Sequence, residues 1–119
     1  VSFASKLVPY IHVIGDACIA GGIPKSASAS GAQGKACAAA IVALMSGKAP
    51  DMPRLSGTCY NTVAPGYAFS LSGVYKPRDG LFAETEGTTS PVEAPRAARR
   101  REAEDAENWF KTIMVDTFG

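Results

Sequence analysis

The first apolar run, Ile11-His12-Val13-Ile14, places three β-branched residues within four positions and ends at Gly15-Asp16. This pattern predicts a short buried strand whose C-terminal end presents a carboxylate and a tight backbone turn. Residues 18–31 are small and polar, with Gly21, Gly22, Pro24, Ser26, Ser28 and Ser30. They read either as a flexible connector or as backbone that approaches a ligand closely. An Ala-rich, nearly uncharged helix is then predicted from about Ala32 to Ser46, buried on most faces and stopped by Gly47 and Pro50. Beyond a linker at Ala49–Leu55 the period becomes strand-like: Thr58–Val63, Tyr67–Tyr75 and Leu81–Glu86, separated by Pro65-Gly66 and Asp79-Gly80. An antiparallel meander is the simplest arrangement. Ser90-Pro91-Val92-Glu93 carries a capping box for a last helix from Pro91 to about Val115, with Ala106, Trp109, Phe110, Ile113 and Met114 on its buried face. Arg96, Arg99, Arg100 and Arg101, followed by Glu102, Glu104, Asp105 and Glu107, read as a solvated face, with docking of an acidic partner as the alternative.

Composition adds few constraints. The 119 residues suffice for one domain, and 12 basic against 11 acidic side chains give a net charge of +1, which points away from nucleic acid as a partner. No apolar run reaches the roughly 18 residues of a membrane span. The order of features in a secretory leader is missing at Val1, and the chain begins without Met, as a processed or excised piece would. Cys18, Cys37 and Cys59 with the single His12 form no metal-binding pattern, so no metal site is expected.

Three stretches carry a resemblance. They are His12-Val13-Ile14-Gly15-Asp16-Ala17 with Pro24-Lys25-Ser26 and Gln33-Gly34-Lys35, then Thr58-Cys59-Tyr60-Asn61, and finally Asn108-Trp109-Phe110 through Phe118-Gly119. Together they resemble the C-terminal part of the flavoprotein chain of flavocytochrome c sulfide dehydrogenases, within the flavoprotein disulfide reductases. The implied fold is α+β: a strand–loop–helix piece of an FAD-binding α/β domain in residues 1–50, then a small antiparallel sheet covered by a C-terminal helix in residues 51–119. The implied cofactor is FAD, the substrate sulfide, and the partners a c-type cytochrome subunit and the N-terminal part of the same flavoprotein. The implied compartment is the periplasm, where disulfides persist.

The resemblance also implies roles. Asp16 binds the ribityl chain, accepting hydrogen bonds from its hydroxyls, and the residues after it approach the pyrophosphate, with Gly15 beside it as a further cofactor-binding candidate; the alternative is an Asp that only caps a turn. The helix N-terminus, with backbone near Ser30 to Gln33, faces the flavin ring, where a positive dipole end stabilises negative charge. Lys25 and Lys35 are either electrostatic helpers or surface lysines. Cys59 matches the second redox cysteine, although a lone strand Cys otherwise reads as a small core residue. Trp109, Tyr60 and Tyr75 either pack in the core or line the flavin and the route to a haem, and Trp109 is retained as a cofactor-binding candidate. Cys37 and His12 read as structural. Cys18 lies beside the cofactor loop without a matching role.

Several family features are missing from these residues: the G-x-G-x-x-G fingerprint, the first redox cysteine and the covalent flavin attachment point. On that reading, catalysis needs the rest of a longer polypeptide. The rival reading makes residues 53–119 a non-catalytic module that docks a cytochrome or forms a dimer.

Overall fold

The computed structural model describes Ser2–Gly119; Val1, the first residue of the lead-in, lies outside the described residues. A 3-10 turn at Gly15–Ala17 precedes helix α1 (Ala27–Met45), strands β1 (Leu55–Ala64), β2 (Tyr67–Arg78) and β3 (Leu81–Thr89), and helix α2 (Arg96–Phe118). The fold is mixed α+β, with one antiparallel sheet of order β1-β2-β3 followed by a helix.

Both hairpins turn on two residues. At Asp79-Gly80 both φ angles are positive, +52° and +82°, as a type I′ turn requires. At Pro65-Gly66 proline fixes the first position and Gly66 takes φ +65°.

Three elements differ from the sequence expectation. Ile11–Ile14 does not enter the sheet. It makes a single antiparallel bridge, Ala4 with His12, supported by Ser5 N–H to Ile11 O (2.7 Å) and Val13 N–H to Phe3 O (2.9 Å). An apolar run becomes a strand only where a neighbour supplies a full ladder, and here the neighbour is residues 3–5.

Helix α1 begins five residues earlier than the Ala-rich segment suggested. Ser26 caps it, its Oγ accepting from Ala29 N–H at 3.2 Å, so Ser28 and Ser30 are helical. Its buried residues, Ala29, Gln33, Cys37 and Ala40, share one face, while Val42 and Met45 are exposed. Its C-terminus closes as a Schellman motif, Lys48 N–H to Ala43 O and Gly47 N–H to Leu44 O.

Helix α2 begins at Arg96 with Pro95 as N-cap, and no side chain caps it. The capping box at Ser90 is not used. Pro95 explains why: its ring disfavours a helical Ala94, so a helix entering at Pro91 cannot run through.

Compactness divides the chain along the strands. One unit comprises the residues up to Thr58 with Gly73–Gly87, and the other comprises Cys59–Ser72 with Thr88–Gly119. In the first, Ile23, Ala29, Leu55, Tyr75 and Phe82 form the core, and Phe3 stacks on Phe82 at 5.8 Å. Gly21 lies against the Phe82 backbone so closely that a Cβ would meet the carbonyl oxygen at 2.5 Å, so only glycine fits. In the second, α2 buries Arg99 and Ala103 and half-buries Ala106, Trp109 and Ile113. Phe110 and Met114, expected on that face, point outward, because the buried seam is narrower than the apolar stripe.

Candidate functional site

In the first unit the Gly15–Ala17 turn sits on one side of α1. Gly15, at φ +66°, donates its N–H to Gln33 Oε1 at 2.8 Å. The Cys18 thiol donates to Gly15 O (3.2 Å) and lies 3.4 Å from Gln33 Oε1. Lys25 Nζ donates to the Asp16 carbonyl at 2.6 Å, and Ser30 Oγ lies 3.5 Å from Asp16 Oδ1. Gly15, Asp16, Lys25, Ser30 and Gln33 are therefore one connected group.

Their accessibility differs. Asp16 and Lys25 are exposed, whereas Gln33 is 2% exposed and commits its carbonyl oxygen to the turn. Gln33 thus shapes the Gly15-Asp16 backbone rather than presenting its side chain outward. The helix amides also lie elsewhere than expected. Ser30 N–H is bonded to Ser26 O at 2.8 Å, and Ala29 N–H goes to the Ser26 cap. The two amides that helix geometry leaves without an intrahelical or capping partner are those of Ala27 and Ser28, upstream of the Ser30–Gln33 segment.

These residues suit a group carrying both hydroxyls and negative charge. An exposed carboxylate accepts hydroxyl hydrogens, while a helix N-terminus and an ammonium favour anionic atoms. A concavity of about 370 Å³ in this unit lies apart from that donor set. Phe3, Val13, Cys18, Ile19, Leu81 and Phe82 line it, and neither Asp16 nor Lys25 does.

In the second unit Cys59 is a half-buried free thiol on β1. The next residue, Tyr60, meets Trp109 of α2 with ring centroids 6.2 Å apart and planes tilted 44°. Because strand side chains alternate, Cys59 projects from the face opposite α2. Trp109 is accordingly a partner of Tyr60. Burial first, then the Asp105 and Glu102 carboxylates, push the Tyr60 phenol above its ordinary range.

The other sequence candidates have structural roles. Cys37 is buried, which pushes its thiol up, and Tyr75 belongs to the core of the first unit. His12 Nδ1 lies 2.7 Å from Ser2 O. Among the described residues no three His, Cys, Asp or Glu side chains gather as metal ligands.

Two arrangements were missed. Arg99 and Glu102, read as part of a solvated face, form a largely buried pair at 3.1 Å, with Arg99 only 4% exposed. Arg99 also donates to the carbonyls of Pro91 and Val92 and lies 5.8 Å from the centre of the Tyr67 ring. Glu102 accepts from Ser70 Oγ (3.0 Å) and from Ser90 Oγ. The Arg99–Glu102 spacing of three residues was the available signal. The second is Ser28, whose Oγ accepts Thr58 N–H at 3.1 Å, and nothing local in the sequence marks it.

Residues 51–118 match the sequence model of the family described as flavocytochrome c sulphide dehydrogenase, flavin-binding. The match covers more than half of the chain and contains Cys59 and Trp109, whereas the Gly15–Gln33 group lies before it.

Proposed function

From the premise that this chain belongs to the flavin-binding family of flavocytochrome c sulphide dehydrogenases, we propose that it oxidises sulfide as part of a longer polypeptide and delivers the electrons to a c-type cytochrome. The family is one of oxidoreductases, its cofactor a flavin, consistent with FAD, and its name implies a cytochrome subunit. No helix among the described residues is long and apolar enough to cross a membrane. The periplasm, where c-type haems and disulfides coexist, is the compartment that suits this chemistry. Residues 1–50 then belong with the FAD-binding domain, and residues 51–119 form the family's C-terminal domain.

The observation that carries the proposal is Cys59, a half-buried thiol inside the matched span. It pairs as a disulfide with a cysteine that this sequence does not contain. Hydrosulfide attacks one sulfur of that bond; a new S–S bond forms, the old one breaks, and the second cysteine leaves as a thiolate. FAD, when bound, supplies an acceptor for two electrons that can be released singly to a haem. Asp16 accepts hydrogen bonds from the ribityl hydroxyls, Gly15 sets the backbone that aims it, and Gln33 and Ser30 hold that turn. Lys25 and the Ala27 and Ser28 amides add positive potential for anionic atoms.

The test is Cys59→Ser in the full flavoprotein with its cytochrome, followed by sulfide-dependent haem reduction. A loss of about a hundredfold or more in kcat with flavin still bound supports the assignment. Undiminished turnover would remove Cys59 from the chemistry and leave this region a docking module.

A further inference from the structure

We propose that Ser28 is a positioning residue for Cys59, an inference that rests on the reading of Cys59 as a redox cysteine. Strand β1 runs against the first turn of α1 at two points. Leu55 packs in the same core cluster as Ala29. Three residues on, Thr58 N–H donates to Ser28 Oγ at 3.1 Å. Between them Gly57 lets the strand come close, because a Cβ there would stand 3.3 Å from Ser28 Oγ and 3.7 Å from Ala29 N.

Cys59 follows Thr58 by one peptide unit, so its Cα lies a fixed distance of about 3.8 Å from the anchored Cα. On the other side Asn61 Nδ2 reaches the Cys59 carbonyl at 3.4 Å. A disulfide tolerates only a narrow range of Cα and Cβ separations. A backbone anchor at the preceding amide therefore bears directly on how favourably the bond forms. Ser28 is well suited to the task because it is fixed in the first turn of a helix whose cap is satisfied by Ser26. Neither Ser28 nor Thr58 needs to touch substrate or cofactor for this.

The experiment uses the full flavoprotein with its partner cysteine, as wild type, Ser28→Ala, Ser28→Thr and Gly57→Ala. Each is equilibrated in buffers of reduced and oxidised dithiothreitol, thiols are trapped with a maleimide, and labelling is read by mass at Cys59 and Cys37. Oxidised dithiothreitol is the electron acceptor when the bond forms, and the reduced form is the donor when it breaks. Ser28→Ala is expected to lower the equilibrium constant for the Cys59 disulfide by about three- to tenfold, the worth of one hydrogen bond that the closed disulfide holds in place and the open form releases. Ser28→Thr, which keeps the Oγ, restores it, and buried Cys37 stays unlabelled throughout. Gly57→Ala, which crowds the same contact, shifts the constant in the same direction and serves where Ser28→Ala exposes Cys37.

An unchanged constant in a folded Ser28→Ala protein overturns the inference, as does a loss that Ser28→Thr does not rescue. If Cys59 forms no disulfide in the wild type, the redox reading fails on its own. Ser28 is then judged by the alkylation rate of reduced Cys59: a rise of about threefold in Ser28→Ala, reversed in Ser28→Thr, sustains the positioning role, and no rise overturns it.

Discussion

Asp16 presents an exposed carboxylate whose Oδ1 lies 3.5 Å from Ser30 Oγ, at the outer edge of hydrogen bonding. Little of its acceptor capacity is used within the chain, so most is available to ligand hydroxyls. Asp16→Ala in the full flavoprotein is therefore expected to weaken non-covalent FAD binding by about ten- to a hundredfold, as loss of charge-assisted hydrogen bonds of ~1.5–3 kcal/mol requires. Flavin fluorescence titration of the apoprotein checks this, and unchanged affinity removes Asp16 from the site. Tyr60 carries a second prediction. Burial, then Asp105 and Glu102, raise its phenol, so the folded protein holds Tyr60 protonated where the unfolded chain ionises. The stabilisation is complete below the ordinary phenol range and is lost as pH rises through the folded value. The difference in tyrosinate absorbance between wild type and Tyr60→Phe should show the delayed titration, and Asp105→Asn should bring it partly back. The turn at Gly15-Asp16 was legible because a glycine and an acid ending an apolar run is a local pattern. The internal role of Gln33 was not, because its partners Gly15 and Cys18 lie 18 and 15 positions away.

At the scale of elements, Glu102 fastens the first part of α2 to β2 and to the segment before the helix. The hydrogen bond from Ser90 does most to hold its carboxyl below the usual range; burial opposes this, while Ser70 and Arg99 add to it. A depressed folded value means stabilisation that is present above the unfolded carboxylate's titration and lost as pH falls through the folded one. Glu102→Gln should cost ~1–3 kcal/mol at neutral pH, since it leaves buried Arg99 without its counter-charge. The gap in melting temperature between variant and wild type should close on acidification below the ordinary carboxylate range; a gap that persists there would contradict the assignment. Ser90 is the revealing case for what sequence can convey. Ser90-Pro91-Val92-Glu93 satisfies every local rule for a helix start, yet Pro95 forbids the helix from running through it. The Ser90 hydroxyl is used across 20 positions by Ser70 instead. Ser90→Ala should accordingly lower stability while leaving the helical circular dichroism of the folded protein unchanged. The three strands were legible because alternation and the Pro-Gly and Asp-Gly turns agree with one another. Ile11–Ile14 was over-read for the opposite reason, since strand propensity says nothing about whether a neighbour exists.

At the scale of the whole molecule, each unit carries large apolar side chains at its surface. Leu7, Tyr10 and Ile19 are at least 90% exposed in the first, and Phe118, Val115 and Phe110 are more than half exposed on α2 in the second. Apolar side chains exposed in this way are interface only where another polypeptide meets them. The candidate cofactor contacts are correspondingly sparse: one carboxylate, one glycine turn, one lysine and a helix N-terminus. No G-x-G-x-x-G is available to hold the pyrophosphate and adenosine half of a dinucleotide. A few hydrogen bonds to one end of FAD must offset the full cost of immobilising it, and that cost alone is estimated at about 4–15 kcal/mol. The 119 residues by themselves should therefore release FAD during gel filtration, while the full flavoprotein carries it through the column. Stoichiometric flavin co-eluting with the isolated chain would show that the Gly15–Gln33 group and its surroundings form a complete binding site, and the dependence on a longer polypeptide would fall.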